Sequence, residues 1–305
     1  MTHTEEIEAD TKKKKLQRRL LLIAKIAVSF SLLLFLATKL DFTSLSKLKP
    51  DIAWHFLVST LVMLLALAFM TVRWRYVLDL IERKSYSYAL LYRFYLVGSF
   101  FNIFIPGAIG GDAIRLYYLS KAYHITKTRS LLSVFIERVA GLFILGIILL
   151  FALLFNDTIR TKLQFGFGSI LLAAIVIVAA LVFAKYFLNK KIVIGYKEIA
   201  VILLLSGLGQ FGDILIALLF SDYFGLNITL LNLMAIMPLV YIATVVPISL
   251  GGVGVREGVM TAGMTLYGVS VPDAVMVSFL LYLVKIIVGT MGWFAYLRLG
   301  KVGHD

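Results

Sequence analysis

Two stretches of the 305-residue chain carry residue types suited to holding an anion inside an apolar environment. One reads PGAIGGDAIR over 106–115; the other reads PISLGGVGVR over 247–256. Both fit P-x-x-x-G-G-x-x-x-R at identical spacing. Proline lacks a backbone N–H and clashes with the preceding turn, so Pro106 and Pro247 each end a half-helix. The glycine pairs Gly110-Gly111 and Gly251-Gly252 permit positive φ and close approach of a ligand. The half-helix after each break points free N–H groups toward it, a setting that favours phosphate. Arg115 and Arg256 lie about one turn into those half-helices, and a guanidinium is a planar, permanent cation matched to phosphate oxygens. An acid stands near each arginine, Asp112 and Glu257. The same residues therefore also suit plain ion pairs that neutralise buried charge. The sequence leaves both roles open.

Further charges interrupt apolar runs. Outside the connections there are the acids Asp112, Glu137, Asp213 and Glu257, and the bases Lys25, Arg93, Arg115, Arg138, Arg256 and Lys285. Lys25 and Arg93 lie near run ends and can snorkel to the surface. The rest lie deep enough to need partners or a wet cavity. Lys285 is central in the last run. Gln210 and Asp213 are three apart and share a helix face. Glu137 and Arg138 are adjacent and cannot share a face, so at least one reaches another element. The expected substrate-binding set is Arg115, Arg256, Asp112, Glu257, Glu137, Arg138, Lys285, Asp213 and Gln210. Some of these acids and bases serve equally well as a structural ion-pair network. Cysteine is absent, and no zinc helix, phosphate-binding P-loop or dinucleotide fingerprint occurs. No metal, cofactor or catalytic residue is expected, and the chain is read as a non-enzyme.

The elements that must position these residues follow from composition. The chain is 61% hydrophobic and 15% charged, against roughly half and a quarter in soluble domains. Its apolar residues fall in bilayer-length blocks. That excludes a soluble enzyme, a disordered chain and a coiled coil, and the blocks are too long and continuous for barrel strands. The net charge of +13 fits cytoplasmic loops and anionic headgroups rather than nucleic acid. The apolar runs are 20–38, 53–72, 89–105, 131–155, 167–188, 199–220, 230–247, 253–268 and 273–297, with a shorter piece at 112–122. The first follows a basic segment with no convincing cleavage site, as in a signal anchor.

Basic residues set the topology. They concentrate before 20 and within 39–52, 73–88, 119–130 and 185–198, whereas 221–229 and 268–272 have none. The piece 112–122 spans only about 16 Å as helix, half a hydrocarbon core. Runs 89–105 and 112–122 thus read as a re-entrant hairpin from the cytoplasm, and 230–247 with 253–268 as a second from outside. The expected fold is an all-α polytopic membrane protein with six full spans and two oppositely oriented hairpins. It divides into a cytoplasmic tail (1–19), a first repeat (20–155, hairpin 89–122), a linker (156–166), an inverted second repeat (167–298, hairpin 230–268) and a second tail (299–305). Inverted repeats with interrupted helices in corresponding positions point to a transporter's midplane site. Both termini are placed in the cytoplasm of a prokaryotic plasma or inner membrane.

The segments PGAIGGDAIRLYYL (106–119), VFIERVAGL (134–142) and PISLGGVGVREG (247–258) resemble, in order, three motifs of one family. It is the lysylphosphatidylglycerol synthase/flippase transmembrane family, found in the N-terminal half of bacterial multiple-peptide-resistance proteins and in stand-alone membrane proteins. The resemblance covers the chain from about residue 20. It implies a module that moves phosphate-bearing lipids between leaflets, with Asp112, Arg115, Glu137, Arg138, Arg256 and Glu257 as its polar centre. The synthase members add a soluble aminoacyl-transferase domain. This sequence ends at Asp305 without one, so synthesis of a lysyl-lipid is not expected. The expected function is a flippase or transporter of a phospholipid, aminoacyl-phospholipid or polyprenyl-phosphate-linked lipid. Its expected partners are membrane lipids with anionic headgroups. Alternatives are a small-solute or ion-coupled secondary transporter, and a membrane-embedded transferase.

Overall fold

The computed structural model describes residues 48–104, 109–162, 194–245 and 254–299, together with Gly166, Gly168 and Ile175. The described residues form helices and connecting loops. Helix is the form in which a lone apolar segment satisfies its own backbone in lipid. In chain order these are α1 (Ile52–Glu82), α2 (Tyr88–Phe104), α3 (Ile109–Tyr123), α4 (Lys127–Phe155), α5 (Asp157–Lys162), α6 (Tyr196–Tyr223), α7 (Leu230–Val245), α8 (Val255–Thr265) and α9 (Val271–Leu299). Among the described residues α1, α4, α6 and α9 are long and apolar enough to cross a membrane. The expected span at 20–38 lies outside the described residues, as do that at 167–188 apart from Gly168 and Ile175, and Lys25, Pro106, Pro247, Gly251, Gly252, the first tail and residues 300–305.

Several boundaries correct the sequence reading. Helix α1 runs ten residues past the expected end at 72, so Arg73 and Arg75 are helical rather than part of a connection. Nothing between Arg73 and Glu82 breaks a helix, and Trp74, Val77, Leu78 and Ile81 keep a helical apolar face. At 31 residues α1 is about 46 Å long and must project beyond a core of about 30 Å. It stops at Arg83, whose backbone is left-handed (φ 52°) and whose N–H bonds the Asp79 carbonyl at 2.8 Å. Helix α3 begins at Ile109, so Gly110 and Gly111 belong to its first turn rather than to a hairpin tip. The expected linker 156–166 contains the short helix α5.

The helices pack in two matching sets. Set one is α1, α2, α3 and α4; set two is α6, α7, α8 and α9. Each helix pairing within or between sets recurs when the sets are exchanged. The matching helices α1 and α6 form the most extensive contact and run antiparallel. Along that seam His55 meets Tyr223, Ala66 meets Gly212, Met70 meets Gly209 and Arg73 meets Ser206. A Cβ at Gly212 would lie 2.7 Å from that of Ala66, so the small residue sets how closely the two helices approach. The first helix of each pair of short helices packs on the last long helix of the other set, α2 on α9 and α7 on α4. At the end of α4, Asn156 donates to Asn232 near the start of α7 at 2.8 Å. The largest buried apolar cluster joins α1, α4, α6, α7, α8 and α9.

Candidate functional site

The first set buries a chain of alternating charges. Glu137 faces inward from α4 and is 3% exposed. Its Oε1 accepts hydrogen bonds from Arg73 Nη2 at 3.0 Å, Arg73 Nε at 3.3 Å and the Tyr95 hydroxyl at 2.6 Å. Its Oε2 lies 3.3 Å from Arg115 Nη2 but is not aligned for a hydrogen bond. That contact is charge attraction alone. Arg115 donates to Asp112 Oδ1 at 2.6 Å, one turn back on α3. The other oxygen of Asp112 accepts from Arg138 Nε at 2.9 Å and Nη2 at 2.5 Å. The order Arg138–Asp112–Arg115–Glu137–Arg73 thus ties α3 to α4 and α1, and Arg73 extends it to Ser206 on α6 at 2.9 Å.

Desolvation makes this arrangement necessary. A guanidinium taken out of water needs its charge and its donors matched. Arg115 meets part of that need with aromatic faces: its guanidinium carbon is 3.9 Å from the Tyr95 ring centre and 4.7 Å from that of Trp74. Trp74 is fixed in turn by donating to Ser133 at 3.1 Å. Arg115 Nη1 is buried with no hydrogen-bond partner among the described residues. Arg138 differs, with a side chain 42% exposed. Adjacent on α4, Glu137 and Arg138 point to different sides and both reach other elements.

The second set carries a separate polar cluster. Asp213 of α6 accepts from Lys285 of α9 at 2.5 Å and from the Tyr241 hydroxyl of α7, both on Oδ2. On α8, Arg256 donates to Glu257 Oε1 through Nε at 3.0 Å and Nη2 at 2.7 Å, and lies 4.4 Å from the Tyr282 ring centre. Glu257 Oε2 accepts the Gly254 N–H at 2.5 Å. Glu257 therefore closes the start of α8 as a reach-back cap. The anion-favouring helix end holds the chain's own carboxylate. Gly254, with φ 83°, supplies the left-handed residue at this break. The seven residues from Ser206, which faces Arg73, to Asp213 place the two clusters about 10 Å apart along α6.

Gln210 and Asp213 reach different helices. Gln210 Nε2 donates to the Gly141 carbonyl of α4 at 2.8 Å, away from Lys285. Gly111 does not take up the positive φ that its type permits. Its backbone is helical, and a Cβ there would lie within 2.6 Å of Asn102 Nδ2 and closer still to the Gly98 carbonyl oxygen. The glycine lets α2 and α3 touch, and its N–H donates to Asn102 Oδ1 at 2.8 Å. Arg73, Tyr95 and Trp74 were not among the expected site residues. The unbroken amphipathic pattern after residue 72 was the available signal for Arg73 and Trp74. Tyr95 sits inside an apolar run with nothing local to mark it. No group of acidic or histidine side chains suited to a metal ion occurs among the described residues.

Long apolar helices with paired charges buried between them define a polytopic helical membrane protein. Residues 22–292 match the family described as the lysylphosphatidylglycerol synthase TM region, and the chain belongs to that family. Comparison with curated proteins gives no match.

Proposed function

We propose that this protein moves a phosphate-bearing lipid between membrane leaflets, by way of the polar clusters beside the two helix breaks. The observation that carries the reading is Asp112, a carboxylate in the first turn of α3 that bridges Arg115 and Arg138. A carboxylate between two guanidiniums stands where a phosphate would be held by the same donors. In this reading Asp112 substitutes for the headgroup in the resting protein and yields Arg115 and Arg138 to it. The cluster has three arginines and two carboxylates. Its net charge of one matches one phosphodiester.

The matching packing of the two sets and the antiparallel run of α1 and α6 support an inverted repeat. The two short-helix pairs are then re-entrant hairpins entered from opposite faces, with both termini cytoplasmic. The headgroup passes from the cluster at Arg115 toward that at Lys285, about 10 Å deeper, while its tails stay in lipid. The partner is the lipid itself, and no bond-making chemistry, cofactor or metal is assigned.

The test is reconstitution of the purified chain into liposomes that contain fluorescent phosphatidylglycerol, with a membrane-impermeant quencher outside. Faster loss of the protected fraction than in protein-free liposomes is expected. Equal rates, with the protein folded and inserted, would refute translocation of this lipid.

A further inference from the structure

A groove of about 470 Å³ opens between the start of α2 and the end of α9, away from both charge clusters. It adjoins a close contact between the two helices. Gly289 and Gly292 let α9 press on Phe100, Ile103 and the Leu96 carbonyl of α2. Past Gly292, Phe294, Ala295 and Arg298 of α9 line the groove opposite Tyr88, Ala89, Tyr92 and Arg93 of α2. Leu96, Met291 and Phe294 line the groove with apolar surface, and Tyr92 borders it. Arg93 from α2 and Arg298 from α9 also line it. Among the described residues neither arginine has a carboxylate partner. This contrasts with Arg73, Arg115 and Arg256, each of which is paired.

We infer that this groove is a lateral binding site for an anionic phospholipid, with the phosphate between Arg93 and Arg298 and an acyl chain along Leu96, Met291 and Phe294. Two guanidiniums above an apolar trough match the charge and shape of a phospholipid. A basic side chain near an anionic membrane surface gains about 1 kcal/mol from it. The arginines lie at the start of α2 and the end of α9, where a headgroup lies when its tail is in the core. The cavity has the size of small-ligand sites. The inference goes beyond the proposed function, because it concerns lipid retention whether or not lipid is moved.

The test uses the full chain reconstituted in vesicles of equimolar phosphatidylglycerol and phosphatidylcholine, then extracted mildly, with retained lipid counted by mass spectrometry. Wild type is expected to retain phosphatidylglycerol preferentially. Arg93→Gln/Arg298→Gln should lower that preference by about thirtyfold, two surface guanidiniums' worth. Arg93→Lys/Arg298→Lys should keep part of it, since charge survives and the planar fork does not. Excess inorganic phosphate should not strip the lipid, because the trough holds the tail. Unchanged retention in the glutamine variant would overturn the site, as would retention lost to inorganic phosphate. A variant at Arg115 that stops translocation yet keeps the lipid preference would separate this groove from the central clusters.

Discussion

Arg73 of α1 and Glu137 of α4 form a buried ion pair at 3.0 Å, and it is the inner end of the charge chain that reaches Arg138. Neither group can return to water without moving a helix. Removing one partner leaves a naked buried charge, which costs about 3–5 kcal/mol, whereas removing both costs much less. Arg73→Gln and Glu137→Gln should each lower thermal stability in detergent markedly. The combined variant should be more stable than either. A double variant that loses as much as the two single changes together would mean that the pair does not act as a unit.

The two glycines at the breaks should fail in different ways. At Gly111 an alanine collides with Asn102 and the Gly98 carbonyl, so the expected cost is about 1–3 kcal/mol from forced separation of α2 and α3. At Gly254 the cost comes from φ 83° with ψ −46°, about 1–3 kcal/mol for a residue with a β-carbon. Gly258 is the control, because a Cβ there meets nothing within 4 Å. Melting curves of the three alanine variants should show loss at 111 and 254 and little at 258. A variant at 111 as stable as wild type would mean that the contact relaxes freely.

Topology can be read by labelling. Ser130 is a natural position to probe from sequence, but it is only 2% exposed. Thr128, exposed near the start of α4, replaces it, and Asn227 is exposed between α6 and α7. A cysteine at Thr128 should react only with reagent on the cytoplasmic side, and one at Asn227 only from outside. Reaction of both from the same side would contradict the inverted arrangement.

Much of this architecture was legible because a membrane simplifies the problem. Bilayer-length apolar runs found α1, α4, α6 and α9, and the glycine-proline breaks found the short pairs. The charges at 112, 115, 137, 138, 213, 256, 257 and 285 stood out because charge is rare in such runs. Their partners did not. Arg73 looked like an ordinary residue of a basic connection, although no breaker separates it from the preceding run. Tyr95 and Tyr241 are aromatics among many, and only packing shows that their hydroxyls reach Glu137 and Asp213. The i, i+3 spacing of Gln210 and Asp213 fixes a common face only coarsely, and the two side chains diverge to α4 and α9. Gly111 has the right residue type for a positive φ beside a ligand, but the close approach of Gly98 and Asn102 gives it a packing role.

The measurement that most directly tests the central claim is lipid translocation by wild type, Arg115→Gln and Asp112→Asn/Arg115→Gln in matched liposomes. If Arg115 receives the headgroup, neutralising Asp112 as well cannot restore it. Loss of a charge-assisted hydrogen bond worth about 1.5–3 kcal/mol slows the process by about tenfold or more. Both variants should be slowed to that extent, with the double variant no faster than the single. Recovery of the wild-type rate in Asp112→Asn/Arg115→Gln would contradict it and show that Arg115 serves only to neutralise Asp112.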